Sequence, residues 1–172
     1  DVDDTIDCLD KLESVPGRLQ FAGFVSGGRV YIDYAHTPDA LKHILTTMRA
    51  HTRGRLIIIL GSGGGRDRGK RPLMGKIAEK HADIIIVTDD NPRGEAPESI
   101  RAQIMVEATS ALEIGDRAEA IAAGISKIQR GDVLVVAGKG HETGQIVGNQ
   151  IHAFNDLSIA QQAISNAGGQ PA

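Results

Sequence analysis

The sequence predicts an α/β fold in which an open, mainly parallel sheet has helices on both faces. Three short runs are continuously apolar and rich in β-branched residues, as strands buried on both faces are. These runs are Leu56–Leu60, Ile84–Val87 and Val133–Ala137. Apolar residues at helical spacing lie between them. Because strands that alternate with helices form parallel sheets, we expect a Rossmann-like arrangement.

Five helices are expected after the hairpin described below. Three should begin at a proline, since proline favours the first helical position; these prolines are Pro38, Pro72 and Pro97. Asp116 and Glu119 form a capping-box-like pair before the fourth helix. The fifth should run from Asp156 to about Ala167, and the tail beyond it should be frayed.

Two extended stretches precede the first apolar run. Residues 19–25 and 29–34 are separated by a glycine-rich turn, which predicts a hairpin at the sheet edge. A weaker strand is expected at 112–114. Residues 1–14 resemble the end of a helix that has no partner nearby in the sequence. We therefore assign residues 1–14 to the remnant of a preceding domain, and residues 15–172 to the α/β domain.

Composition argues against several classes of protein. The chain has 172 residues and a net charge of −3, which gives no electrostatic case for nucleic acid or membrane partners. No apolar stretch approaches the ~20 residues that span a bilayer, and the first residues are acidic, unlike a secretory signal. The single cysteine can form no internal disulfide or zinc cluster. We expect a cytoplasmic monomer without a metal site of its own.

Four polar segments directly follow predicted strands. Ligands of such sheets bind beyond the carboxyl ends of the strands, so these segments should converge on one site. They are residues 33–38, 61–72, 89–93 and 138–142. Taken singly, each has an ordinary structural explanation as a helix cap, a turn or a surface ion pair. Their convergence is the stronger observation.

The glycine-rich segment 61–72 fits neither common nucleotide-binding pattern. It is one residue short of a P-loop, and Arg71 stands where a serine or threonine should hold Mg²⁺. The dinucleotide pattern fails at position 66, which is arginine. We expect no P-loop here.

Five strings in this order resemble the C-terminal domain of the Mur ligases: VPGRLQ, VYIDYAHTPDAL, GSGGGRDRGKRPLMG, TDDNPR and VVAGKGHE. The resemblance covers about residues 16–164 and is closest to the diaminopimelate-adding members. GKRPLMG together with DNPR and GKGHE is its most specific part. Family members commonly have GRME where this chain has GRLQ at residues 17–20, so the arginine is kept and the acidic residue is lost. Gly65 stands where the family usually has Asp or Asn.

The resemblance implies the third domain of a three-domain ligase. ATP with Mg²⁺ would be bound mainly by the missing central domain, which would also hold the catalytic residues, so none is assigned in this chain. The full enzyme would add meso-diaminopimelate to UDP-N-acetylmuramoyl-L-alanyl-D-glutamate, and the fragment alone would be inactive. The other reading is a stand-alone nucleotide or amino-acid binding module without chemistry.

The resemblance also assigns two groups of site residues. For the nucleotide, Arg18 would reach the phosphates, Asp33 would accept from the ribose hydroxyls and His36 would lie near the nucleotide. At the far end of diaminopimelate, Arg71, Arg93 and Asn91 would hold the carboxylate. Glu142 and the Gly138 carbonyl would accept from the ammonium. The complete amino-acid set is Arg71, Asp90, Asn91, Pro92, Arg93, Gly138 and Glu142.

Overall fold

The computed structural model describes residues 15–172, so the helix end and domain remnant predicted in residues 1–14 lie outside the described residues. The strands there are β1 (Gln20–Val25), β2 (Gly28–Asp33), β3 (Leu56–Leu60), β4 (Ile84–Val87), β5 (Leu112–Glu113), β6 (Val133–Ala137), β7 (Gly144–Val147), β8 (Gln150–Ala153) and β9 (Gln170–Pro171). The helices are α1 (Pro38–His51), α2 (Lys70–His81), α3 (Pro97–Met105), α4 (Arg117–Ser126) and α5 (Asp156–Asn166).

Seven strands form one open sheet in the order β5-β4-β3-β6-β2-β1-β9. The five strands from β5 to β2 are parallel, whereas β1 pairs antiparallel with both β2 and β9. This confirms the predicted α/β class, its three central strands and the hairpin on one side of the sheet. The frayed tail was wrong, because β9 pairs with Gly23 and Phe24 of β1 and becomes the outermost strand.

Side chains of the central strands alternate between two buried faces. In β3, Leu56, Ile58 and Leu60 pack with α1 and α2 on one face. Ile57 and Ile59 pack with α4 and α5 on the other. All five are fully buried, which is why this strand is apolar throughout rather than alternating. Because these central strands are parallel, their carboxyl ends lie together at the same edge of the sheet.

Local signals placed most helix starts. Asp116 accepts from the Glu119 backbone N–H at 2.9 Å ahead of α4, as predicted. Helix α2 begins at Lys70, two residues before the expected proline. The β7–β8 hairpin was not predicted; it forms a separate two-stranded sheet. No helix in the part of the chain described is long and apolar enough to cross a membrane.

Candidate functional site

A polar cleft of about 420 Å³ lies beyond the carboxyl ends of the parallel strands. All four polar segments contribute to it, as their position after the strands predicts. Six of the predicted site residues line it: His36, Asp90, Asn91, Arg93, Gly138 and Glu142. Its lining also includes Tyr34, Arg66, Asp67 and Lys70.

Segment 61–72 lies directly on the turn of residues 90–93. The Gly64 backbone N–H donates to the Asn91 carbonyl oxygen at 2.8 Å. A Cβ at position 64 would stand 1.9 Å from the Pro92 carbonyl oxygen, so only glycine permits this approach. The close fit brings the two loops together as one wall of the cleft.

Arg93 is held in a backbone conformation that is uncommon for its residue type, with φ at +52°. Strand β7 supports it: the Arg93 N–H donates to the Ile146 carbonyl, and the Gly148 N–H donates to the Arg93 carbonyl at 2.7 Å. Its guanidinium Nη1 donates to the Gly64 carbonyl at 3.1 Å. No carboxylate of residues 15–172 forms an ion pair with it. Arg93 is therefore a half-buried cation without a direct ion pair to the described residues, although its positive charge helps to lower the pKa of the nearby Glu142 carboxyl.

A fully buried lysine orients the groups opposite. Lys139 Nζ donates to Asn91 Oδ1 at 2.9 Å and to Glu142 Oε2 at 3.1 Å. The Ile146 backbone N–H also donates to Asn91 Oδ1, at 2.9 Å. Because two donors share that oxygen, the amide nitrogen must face the other way, and it donates to Glu142 Oε2 at 2.9 Å.

The carboxylate of Glu142 is kept ionised by these contacts. Burial raises its pKa, but hydrogen bonds from Asn91 and Lys139, together with the positive charges of Lys139 and Arg93, outweigh burial, and the pKa is lowered from its ordinary value. Both donors bind Oε2. Oε1 receives no hydrogen bond from the described residues, which leaves it available to a ligand.

Arg71 was expected to contact the ligand, but its side chain does not line the cleft. The side chain is fully buried, and both terminal nitrogens donate to Glu95, at 3.0 and 3.1 Å. Arg71 also donates to Gln103 and to the Gly63 carbonyl. A guanidinium committed in this way braces the loop from inside. Arg66, which sequence reasoning did not select, lines the cleft instead.

The Arg71–Glu95 pair should make the stability of the folded domain depend on pH in the acid range. Hydrogen bonds from Arg71 and the Gly65 N–H lower the pKa of Glu95 from 4.5 to about 2. The folded state therefore binds fewer protons than the unfolded state between these values. The stabilisation by Glu95 should be fully present above the higher value and lost as pH falls through the lower one.

We expect wild type to be more stable than Glu95→Gln near neutral pH, with the difference shrinking as the pH falls from about 5 toward about 2. Urea unfolding at a series of pH values measures this difference. Glu98→Gln, on an exposed position of α3, is the matched control. A pH-independent difference would contradict the assignment.

The predicted nucleotide residues form a second cluster beside the cleft. Asp33 Oδ1 accepts from the Ala35 N–H and Oδ2 from the Leu19 N–H, both at 2.8 Å. The exposed Arg18 guanidinium lies 5.7 Å from the centre of the Tyr34 ring. The Tyr34 ring also contacts the His36 ring, at a centroid distance of 4.6 Å. Tyr34 thus connects this cluster to the cleft.

The segment that carries Arg18 is fixed to the loop of residues 138–142. A Cβ at Gly17 would stand 2.2 Å from the His141 backbone nitrogen, and its φ is +70°. The two backbones can approach this closely only with glycine there. Within residues 15–172, no group of three or more His, Cys, Asp or Glu side chains could hold a metal ion.

Fold and site together define an open, mainly parallel α/β domain with a charged cleft beyond the carboxyl ends of its strands. Comparison with protein families gives the narrower assignment. The profile of the Mur ligase glutamate ligase domain matches residues 17–140, and the chain belongs to this family. The resemblance inferred from the sequence strings is therefore confirmed.

Similar proteins include two UDP-N-acetylmuramoyl-L-alanyl-D-glutamate–2,6-diaminopimelate ligases. The ligase of Caulobacter vibrioides is 57% identical over 157 residues, and that of Brucella melitensis is 57% identical over 158 residues. Each alignment covers 91% of this chain and 32% of the relative. The chain thus spans about a third of the length of these relatives.

Solved structures agree with this assignment. The structure of a ligase with the same name superposes with a TM-score of 0.82 at 40% identity, covering 96% of this chain and 35% of that one. The UDP-N-acetylmuramate-alanine ligase of Thermotoga maritima gives a TM-score of 0.63 at 17% identity, covering 96% of this chain and 33% of the other. The second likeness shows the fold alone.

Proposed function

We propose that this chain is the amino-acid-binding C-terminal domain of an ATP-dependent ligase. The ligase would add meso-diaminopimelate to UDP-N-acetylmuramoyl-L-alanyl-D-glutamate. The observation that carries the proposal is Arg93, a half-buried cation without a direct ion pair among residues 15–172, in the same cleft as the ionised Glu142. The names of the relatives at 57% identity support the choice of substrate.

The cleft offers complementary groups to the non-reacting end of diaminopimelate. Its carboxylate would receive hydrogen bonds from the Arg93 guanidinium, with the Asn91 amide and Arg66 close enough to share in binding. Its ammonium would donate to Glu142 Oε1 and to the Gly138 carbonyl. Guanidinium groups bind carboxylates with directional, often bidentate hydrogen bonds. This arrangement would leave the other amine free to react.

Asp90 and Pro92 would contribute to the site by fixing the conformation of the 90–93 turn. Pro92 fixes a backbone dihedral angle in the turn. The buried Asp90 carboxylate lies 3.8 Å from Lys139 Nζ. The backbone carbonyl of Asp90 accepts a hydrogen bond from the Gln145 side chain. Both residues would therefore position Asn91 and Arg93 rather than contact the ligand.

In the proposed reaction, ATP with Mg²⁺ would supply the phosphoryl group that activates the acceptor carboxyl for attack by the amine. The residues present fit a role at the edge of the nucleotide. The Arg18 guanidinium is exposed and suited to a phosphate. Each Asp33 oxygen already accepts one N–H but retains capacity to accept from a ribose hydroxyl. His36 would pack beside them.

Variants of these residues should separate nucleotide use from amino-acid use. In the proposed full-length ligase, Arg18→Ala and Asp33→Ala should raise the KM for ATP more than the KM for diaminopimelate. Lys42→Ala and Asp39→Ala, on exposed positions of α1, are the matched controls. Steady-state kinetics with each substrate varied in turn measures the effect. Unchanged ATP kinetics in both variants would remove Arg18 and Asp33 from the proposal.

The activity itself has a direct test. The longer protein should form the UDP-linked tripeptide from ATP, the UDP-linked dipeptide and meso-diaminopimelate, whereas the 172-residue chain alone should form none. Absence of product from an intact, folded longer protein would favour a binding module without chemistry. Product from the isolated chain would refute the proposal that the catalytic residues lie outside these 172 residues.

A further inference from the structure

A second cleft lies at the opposite edge of the sheet, where β2 and β6 begin and α1 ends. Its volume is about 550 Å³. The side chains that matter here are Phe24, Arg29, His51, Arg53, Arg130 and Asp132. The proposed ligase function uses none of them, because the amino acid and nucleotide residues lie at the carboxyl edge.

The one acidic group of this cleft is already balanced. Asp132 is 3% exposed and accepts from Arg55 Nη2 at 2.6 Å, and from the Arg55 and Gln129 backbone N–H groups. Burial raises the pKa of Asp132, but the hydrogen bonds from Arg55 outweigh burial and the pKa is lowered. Asp132 therefore stays ionised, with Arg55 as its countercharge.

The remaining arginines of the cleft have no such partner. Within residues 15–172, no carboxylate forms an ion pair with Arg29, Arg53 or Arg130. All three are exposed, and the Arg29 guanidinium lies 6.0 Å over the Phe24 ring. The nearby carboxyl ends of α1 and α4 contribute about −0.5 charge each. Three guanidinium groups exceed this, so the cleft keeps a net charge of roughly +2.

We propose that this cleft binds a phosphate-bearing anion with at least two negative charges. Guanidinium groups match phosphate geometry with paired hydrogen bonds and are more weakly hydrated than ammonium groups. The concave shape lets several arginines reach one ligand. The half-exposed Phe24 ring at the rim would add an apolar contact to any planar part of it. This site is independent of the ligase proposal.

The test is a ¹H–¹⁵N NMR titration of the 172-residue chain with inorganic triphosphate at about 0.15 M salt, where long-range attraction is screened. We expect saturable shifts of the amide signals of Arg53 and Gly131. The triple variant Arg29→Gln, Arg53→Gln, Arg130→Gln should bind at least about tenfold more weakly, because it removes three charged groups that would donate hydrogen bonds to the ligand.

A charge-matched variant separates a specific site from general attraction. Lys42→Gln, Lys76→Gln, Lys80→Gln removes the same charge from exposed positions of α1 and α2 and should keep the affinity. Equal weakening in both triple variants would overturn the proposal. So would the absence of saturable shifts, or shifts confined to the carboxyl-edge cleft around Tyr34 and Gly138.

Discussion

Arg93→Ala is expected to lower kcat/KM for meso-diaminopimelate by more than about tenfold in the longer protein, with the KM for ATP close to the wild-type value. Removing one partner of a desolvated charge pair costs about 2–5 kcal/mol. Arg93 qualifies because β7 and the Gly64 carbonyl hold it in the cleft without a direct ion pair to the described residues. The loss should appear mainly in the KM for diaminopimelate.

Arg68→Ala is the matched control for this variant. Arg68 is in the neighbouring loop, its side chain is 68% exposed, and it does not line the cleft. It should leave the kinetics of diaminopimelate near wild type. Normal diaminopimelate kinetics in Arg93→Ala would show that residues 90–93 form only a turn.

Asp156→Asn is expected to reduce the free energy of unfolding by about 3–5 kcal/mol, because it leaves the buried Arg117 charge without its paired carboxylate. Both side chains are fully buried, and Asp156 accepts from Arg117 Nε at 2.8 Å and Nη2 at 2.7 Å. Arg117 also donates to the Ala137 and Asp89 carbonyls. The pair therefore ties the ends of β4 and β6 together beneath the cleft.

Urea unfolding of the 172-residue chain, followed by circular dichroism, measures this loss. Asp116→Asn makes the same chemical change at the exposed N-cap of the neighbouring helix α4, where asparagine caps about as well as aspartate. It should have little effect. A loss below about 1 kcal/mol for Asp156→Asn would mean that the pair is poorly coupled to folding.

The sequence predicted the fold well where burial was two-sided. Strands such as β3 have every residue buried, so their composition alone distinguishes them from helices and surface strands. The β7–β8 hairpin gave no such signal, because its residues are half-buried or exposed. The pairing of β9 with β1 was also missed. It joins only two residues of the tail to a strand far away in the sequence, so no local pattern indicates it.

The site was predictable in position but not in every side chain. Parallel strands bring the loops after them to one edge, so the cleft followed from the strand assignment. The choice among the arginines of segment 61–72 did not. Arg71 is buried because Glu95 and Gln103 reach it from a different part of the chain, and only the packed structure shows that Arg66 faces the cleft instead.

We propose that the cleft selects an amino acid with a carboxylate at its far end. The most direct measurement gives the longer protein equal concentrations of meso-diaminopimelate and L-lysine, with ATP and the UDP-linked dipeptide, and quantifies both products by mass spectrometry. We predict a large excess of the diaminopimelate product, up to ~10⁴-fold, because lysine leaves Arg93 unpaired. Comparable incorporation of lysine would contradict this selectivity.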